Sequence, residues 1–489
     1  MDFTEDNIRL LFGNEAAEDE TVEDLKKFYI KGSAYEKLKS DIKLYVLVGH
    51  KGTGKSALLS VMKSEDESAG NISLIIRPED IEGLSYEKTN YIDLVNTWKR
   101  GLSEIIVKKL IDSIKDLRSK KPQDSWIDKL YKAIIDIVNT GVDITTKNLK
   151  ILPEDQLKIL QNSSFNDRKI TVYIDDLDKG WENNAGGIDN IAAMFDAIRS
   201  FVRDYPNIKL RVALRADVYS SVRTTKESTD KIDSSVIWLS WTNHEVFCML
   251  IRRIQSFFKL PIYEDDKMFG MPQRDLMPIL SNVFVEVFEG TGKWANKPMY
   301  NVLMSLVRKR PRDLIKICIL AARKAKDNNH SRINTEDLRA VFSEYSQGRL
   351  QDTINEYKTQ LPNIERILLE MKPNKKELDN VNPCCYSKDE LLLKIKYILE
   401  HVGRCRFTGS NADITSMSLA AFLYKINFLT ARKTTSLEFV TRFYFEESKY
   451  LCSENYVDFG FEFEIHPAYR WALQPAKIDE IYRKLTLSN

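Results

Sequence analysis

Over the first 240 residues, short unbroken apolar runs alternate with stretches of helical spacing. Lys43–Val48 (KLYVLV) is such a run and ends at a glycine-rich turn, the pattern of a strand buried on both faces of a parallel sheet. Ser56–Met62, after the turn, has helical character. Asn71–Arg77 (NISLIIR) predicts a second strand, closed by Pro78. Strands are predicted again at Lys169–Ile174 (KITVYI) and Ile208–Leu214 (IKLRVAL). Between them a helix over Ile191–Tyr205 sets Phe195, Ile198, Phe201 and Val202 on one face. Strands alternating with helices predict a parallel α/β sheet. From Tyr91 to about Gln161 the texture differs. Trp98, Leu102, Ile105, Ile106, Leu110 and Ile114 recur at helical spacing with lysines between them, which predicts a helical insertion before the sheet resumes.

Beyond this region the pattern turns helical. Trp238-Leu239-Ser240-Trp241 introduces a helix-rich stretch to about residue 350. Arg310-Pro311-Arg312-Asp313 opens a helix through Leu314, Ile317, Ile319, Leu320 and Ala322, with proline at a position suited to a first turn. Thr335-Glu336-Asp337-Leu338 starts another, capped by Asn334 or Thr335. Lys372-Pro373-Asn374-Lys375-Lys376 is expected to be a linker, and aromatic strands at Phe439–Glu446 and Phe459–Ile465 point to a small α+β domain. Residues 1–40 are charged and weakly helical, with Phe28 and Tyr29 as anchors. The expected domains are an α/β core over 1–235 with its insertion at about 91–161, a helical lid over 236–350, and a third domain over 351–489.

Composition adds bounds. A chain of 489 residues exceeds one ordinary core and suits about three domains. Apolar residues at 43% and charged residues at 29% are globular proportions, and a formal net charge of +2 provides no overall drive toward nucleic acid or anionic lipid. Met1–Arg9 lacks the basic-then-apolar order of a signal peptide, and no apolar run approaches the ~20 residues of a membrane helix. A soluble, cytoplasmic protein without membrane partners is expected. The six cysteines are too scattered for a disulfide framework. Cys384, Cys385, His401 and Cys405 lack the paired C-x-x-C knuckles of zinc sites.

The strongest chemical signal is Gly49-His50-Lys51-Gly52-Thr53-Gly54-Lys55-Ser56, a complete G-x-x-x-x-G-K-S placed after a strand and before a helix. Glycines permit positive φ, so that backbone N–H groups can curl around a phosphate, and the following helix aims its positive dipole end at the same anion. Lys55 is expected to neutralise β/γ-phosphate charge and Ser56 to ligate Mg²⁺. A chance glycine turn is the bland alternative, and the context argues against it.

Thr171–Asp178 (TVYIDDLD) is a buried strand ending in carboxylates. Asp175 is the candidate Mg²⁺ ligand. Asp176, with Asp178 as second choice, is the candidate to orient or deprotonate the attacking water. Arg215 ends the strand Ile208–Leu214 and either senses the triphosphate or pairs locally with Asp217. Arg310 and Arg312 either swing onto the phosphates from the lid or remain solvated at a helix start.

Together these residues resemble the additional-strand P-loop ATPases close to the AAA+ and STAND classes. Asp175-Asp176-Leu177-Asp178 is similar to the acidic Walker B of STAND and KAP-type NTPases, and Ala213–Asp217 (ALRAD) resembles their sensor-1 strand end. Trp241–Arg253 resembles the start of a helical lid and Arg310–Leu314 (RPRDL) a sensor-2 helix. Ala420–Ala431, the strand near 439–446 and His466–Arg470 (HPAYR) resemble a closing winged-helix-type domain. The acid here is aspartate where AAA+ enzymes usually carry glutamate. Arg199, Arg203 and Arg223 are the candidates for a trans-acting finger. The resemblance implies ATP and Mg²⁺ as cofactors, and a switch that controls homo-oligomeric assembly or a separate effector protein, of the kind found in bacterial anti-phage systems. Its alternative is a DNA-acting ATPase similar to replication initiators, for which only Arg432-Lys433 provides a basic pair in the candidate stretch. A compact phosphotransferase fits poorly with over half the chain outside the α/β core.

Overall fold

The computed structural model describes residues 1–15, 19–81, 90–120, 125–138, 159–160, 169–177, 185–225, 232–434, 439–447, 451, 460–474, 481 and 484–488. Asp178, Phe459 and much of the expected insertion, at 121–124, 139–158 and 161, lie outside the described residues. The chain forms two compact units, Lys31–His50 with Lys55–Leu239, and Met1–Ile30 with Lys51–Gly54 and Ser240–Asn489.

The first unit is built on five strands, β1 (Leu44–Gly49), β2 (Ile72–Ile76), β3 (Ile170–Ile174), β4 (Ile208–Arg215) and β5 (Val236–Trp238). They pair in the order β2-β3-β4-β1-β5, and every pairing is parallel. β4 therefore lies between the strand that leads into the phosphate loop and the strand that carries the acids. This is the additional-strand P-loop arrangement. The register sets Gly49 opposite Arg215 and Ile174 opposite Val212, so the ends of β1 and β4 meet. β5 is short, and the chain pattern had assigned Trp238 to the helical stretch. Three residues cannot display a period.

β1 and β3 are apolar because helices cover both faces of the sheet. β4 breaks the rule with buried Lys209 and Arg211. Arg211 donates to the carbonyls of Leu38 at 2.7 Å and Ser40 at 2.8 Å, so the end of helix Ser33–Lys39 satisfies it. Helix Tyr91–Lys120 buries Trp98, Leu102, Ile106, Leu110 and Ile114 in the same core as the sheet. Its partner is helix Ala185–Asp204, reached by a Trp98 indole N–H to Asn190 Oδ1 bond of 2.7 Å and by Tyr91 Oη to Asp196 at 2.7 Å. The described part of the insertion is thus a wall of the core.

The second unit begins with helices Glu5–Phe12 and Val22–Phe28 and resumes at Asn243–Phe257, whose Thr242 and Glu245 form a reciprocal capping box. Phe28 is buried under the Arg253 guanidinium, as an anchor should be. A two-residue pairing of β6 (Val287–Phe288) with β7 (Lys297–Pro298) precedes helices Met299–Leu306, Pro311–Asp327 and Thr335–Tyr357. Pro311 occupies the first helical turn, where its missing N–H costs nothing. Asn334 is the cap of the last helix. The remainder holds a second sheet, in the order β12-β10-β9-β11-β8, from β8 (Cys385–Tyr386), β9 (Leu429–Thr434), β10 (Phe439–Phe443), β11 (Glu462–Ile465) and β12 (Leu487–Ser488). Helices Lys388–Val402 and Ser416–Lys425 pack with it. The expected linker at 372–376 does not separate bodies. Residues before it (Leu350 to Met371) and after it (Cys384 onward) share one hydrophobic cluster.

Candidate functional site

In the α/β unit, β1 runs into Gly49 and helix Lys55–Ser68 starts directly at the motif lysine. Lys55 is buried, and its ammonium donates to the carbonyls of Gly49 at 2.9 Å and His50 at 3.3 Å. The lysine therefore folds back over the start of its own loop, and an incoming phosphate can take over those bonds. Ser56 is half-buried in the first helical turn.

Asp175 follows β3, and its backbone N–H extends the β2 ladder by donating to Ile76 O at 3.0 Å. Only 7% of it is exposed. A carboxylate so buried is retained at a strand end where a cation or donor compensates it. Asp176 has φ +54°, in the left-handed region that aspartate tolerates better than most residues. The chain turns sharply there, so the adjacent carboxylates do not continue the alternation of the strand. Arg215 makes a bidentate pair with Asp217, Nε–Oδ1 3.1 Å and Nη2–Oδ2 2.6 Å, which is the local ion pair foreseen as the alternative for it. Arg199 lies 3.7 Å from Asp196, Arg203 lies 3.5 Å from Asp204, and Arg223 lies 2.7 Å from Asp233.

The loop tip, Lys51–Gly54, groups with the helical unit, and three successive carbonyls are held there. Lys51 O accepts from Arg310 Nη1 at 3.3 Å, Gly52 O from the Arg312 backbone N–H at 3.4 Å, and Thr53 O from the Trp241 indole N–H at 2.8 Å. In a trans peptide the N–H of the next residue points opposite to the carbonyl. Anchoring the carbonyls of 51, 52 and 53 therefore turns the N–H groups of Gly52, Thr53 and Gly54 the other way, as a phosphate cradle requires. Gly52 and Gly54 have φ +84° and +93° and need glycine for backbone reasons, whereas Gly49, the last residue of β1, does not have positive φ. At Gly52 a Cβ would also stand 3.0 Å from Arg312 Cβ.

The two lid arginines separate. Arg312 turns its Nε to Glu15 O at 3.1 Å. Arg310 is 2% exposed, and its Nε and Nη2 have no hydrogen-bond partner among the described residues. Trp241 and Glu356 were not singled out for the loop from sequence. Glu356 lies some 300 residues along the chain (|i−j| = 305), and its Oε1 accepts from Lys51 N–H at 3.3 Å. No local motif signals such a long-range partner.

In the second sheet Glu464 receives Arg442 at 2.6 Å and Arg470 at 2.6 Å, with Arg432 at 3.5 Å. Burial alone raises the Glu464 pKa, but the three guanidiniums outweigh it and bring it down to about 2. Arg432 is thereby taken inside, and of the Arg432-Lys433 pair only Lys433 is exposed.

Residues 279–354 match the FunZ-associated C-terminal helical domain. Over 350 residues the chain is 24% identical to the "Putative transposon gamma-delta 80.3 kDa protein" of Escherichia coli (strain K12), covering 68% of this chain and 45% of that protein. The chain thus spans less than half the length of that relative. Among solved structures, the Aeropyrum pernix ORC2 protein in ADPNP-ADP complexes superposes with TM-score 0.40 at 11% identity, over 94% of this chain and 93% of that one. The Aeropyrum pernix ORC1 protein in complex with DNA gives 0.31 at 11%, over 85% of each chain. The Thermotoga maritima RuvB Holliday junction branch migration motor gives 0.28 at 12%, over 72% of this chain and 81% of that one.

Proposed function

We propose that the chain binds and hydrolyses ATP with Mg²⁺ at Gly49–Ser56 and uses the nucleotide state to control assembly or a separate effector protein. The observation that carries this reading is the anchoring of the Lys51, Gly52 and Thr53 carbonyls, which sets each following N–H opposite to an anchored carbonyl, as a phosphate-binding loop requires. The donor set fits the nucleotide and its metal: a buried ammonium at Lys55, a hydroxyl at Ser56 and a buried carboxylate at Asp175. Bound Mg²⁺ would neutralise charge between the β- and γ-phosphates. With nucleotide bound, Lys55 would exchange the Gly49 and His50 carbonyls for phosphate oxygens, Ser56 and Asp175 would hold the metal, and Asp176 would accept a proton from water. Arg310 is better prepared than Arg312 to meet the phosphates, since two of its nitrogens are buried without partners among the described residues. A place in bacterial anti-phage systems follows from the family resemblance.

The test is nucleotide binding, hydrolysis and particle mass for the wild type and Lys55→Ala, with and without Mg-ATP. The wild type is expected to bind and hydrolyse ATP and to change mass, whereas Lys55→Ala loses binding by at least tenfold. A wild type that binds no nucleotide ends the reading. A mass that never changes leaves an ATPase without the assembly switch. The DNA-acting alternative requires duplex binding that weakens steeply with salt. Burial of Arg432 removes half of the basic pair that favoured it.

A further inference from the structure

Both backbone polar groups of Lys51 end on one ion pair. Its N–H donates to Glu356 Oε1 at 3.3 Å, its carbonyl accepts from Arg310 Nη1 at 3.3 Å, and Arg310 Nη1 stands 3.7 Å from Glu356 Oε2. Each of these side chains is only 3% exposed. Glu356 is near the C-terminal end of helix Thr335–Tyr357, and Arg310 is the N-cap residue of Pro311–Asp327. The same two helices are tied by Asp313, which accepts Arg308 at 2.7 and 2.9 Å and Arg349 at 2.8 Å. Arg308 also donates to Tyr469 Oη at 2.6 Å and to Thr353 Oγ1 at 3.2 Å. Two buried polar clusters thus sit on the same pair of helices, one at the loop tip and one that reaches the 3-10 segment Pro467–Tyr469.

We propose that Glu356 is a positioning residue that acts as a latch, holding the loop tip and the Arg310 guanidinium together until nucleotide phosphate competes for Arg310. The proposal rests on nucleotide binding at this loop. A carboxylate buried on a phosphate loop opposes an arriving polyanion, while the two unpartnered nitrogens of Arg310 favour it. Phosphate therefore draws Arg310 away from Glu356. Loss of the Arg310–Glu356 contact changes how the two helices are held together, and Arg308 and Thr353 link those helices to Tyr469, which is how nucleotide state is communicated to the C-terminal segment. Such coupling requires contacts that differ between the two nucleotide states, and the Arg310 exchange supplies them.

The experiment measures ATP affinity in the full chain, together with amide hydrogen exchange over 465–474, for the wild type, Glu356→Gln and Arg310→Gln. Glutamine keeps an acceptor for Lys51 N–H and removes only the charge. ATP is expected to bind Glu356→Gln about tenfold more tightly and Arg310→Gln at least tenfold more weakly. ATP is expected to change exchange over 465–474 in the wild type and to leave it unchanged in both variants. If the wild type fails to bind ATP, the nucleotide reading itself fails. If the wild type binds and Glu356→Gln matches it in affinity and exchange response, the latch is overturned. Should Glu356→Gln not fold, Arg310→Gln decides, and wild-type affinity in that variant overturns the latch equally.

Discussion

Asp176 separates chemistry from backbone at a single residue. Its φ of +54° would cost a β-branched residue roughly 1–2 kcal/mol, whereas asparagine adopts the region nearly as easily as aspartate. Asp176→Asn should therefore leave the melting temperature within a degree or two and slow ATP hydrolysis at least tenfold. Asp176→Val should lose stability as well. A melting scan beside a steady-state hydrolysis assay distinguishes the two, and unchanged turnover in Asp176→Asn would remove it from the proton-accepting part. The motif glycines, the lysine and the paired acids were legible because their spacing is local. The strained φ at Asp176 was not, since left-handed backbone leaves no trace in a two-residue Asp-Asp string. Arg310 was visible only as one of a pair. Burial, which depends on Glu356 far along the chain, distinguishes it from Arg312.

At the scale of elements, β1 to β3 were readable as largely apolar runs longer than three residues, and β4 from Ile208, Leu210, Val212 and Leu214 at alternate positions despite Lys209 and Arg211 between them. β5 was too short, and the order β2-β3-β4-β1-β5 is written in the crossovers rather than in any one strand. The helical spacing from Trp98 to Ile114 was equally clear, but its role was not. A periodic face predicts burial without naming what covers it. Trp98 is 1% exposed, belongs to the core of the sheet and donates to Asn190. Trp98→Ala should therefore destabilise the α/β unit by about 3–5 kcal/mol, as for other large core truncations. Denaturant unfolding should report this as a lower midpoint. A variant within 0.5 kcal/mol of the wild type would mean that the helix is a dispensable appendage.

Across the whole molecule, the phosphate-loop tip and the C-terminal sheet belong to one contact unit, and charged side chains sit inside it. Asp313 and Glu464 are buried with arginines. Burial pushes both carboxyls up, and the guanidiniums outweigh it and hold both well below the usual carboxylate range. Carboxylates with depressed folded pKa values contribute stability that is complete above their unfolded values near 4 and is lost as pH falls below that. His466 acts in a higher window. It is fully buried, its Nδ1 accepts from Ala468 N–H at 3.1 Å, and its Nε2 is 2.8 Å from Tyr444 Oη. Burial, then the charges of Arg442 and Arg308, lower its pKa well below the ordinary value, against the weaker opposite pull of Glu464 and Asp313. Between about pH 6.5 and that folded value, the unfolded chain carries a proton that the folded chain does not. Stability therefore falls as pH falls, by up to about 1.4 kcal/mol per pH unit for this one group. Urea unfolding at pH 7.5, 6.5, 5.5 and about 3.5, followed by amide exchange in β11, should show this slope in the wild type between the first three points. In His466→Gln, which cannot charge, the slope should flatten while the drop below pH 4 from the carboxylates persists. Equal slopes in the two proteins would assign the dependence to another group and leave His466 a packing residue.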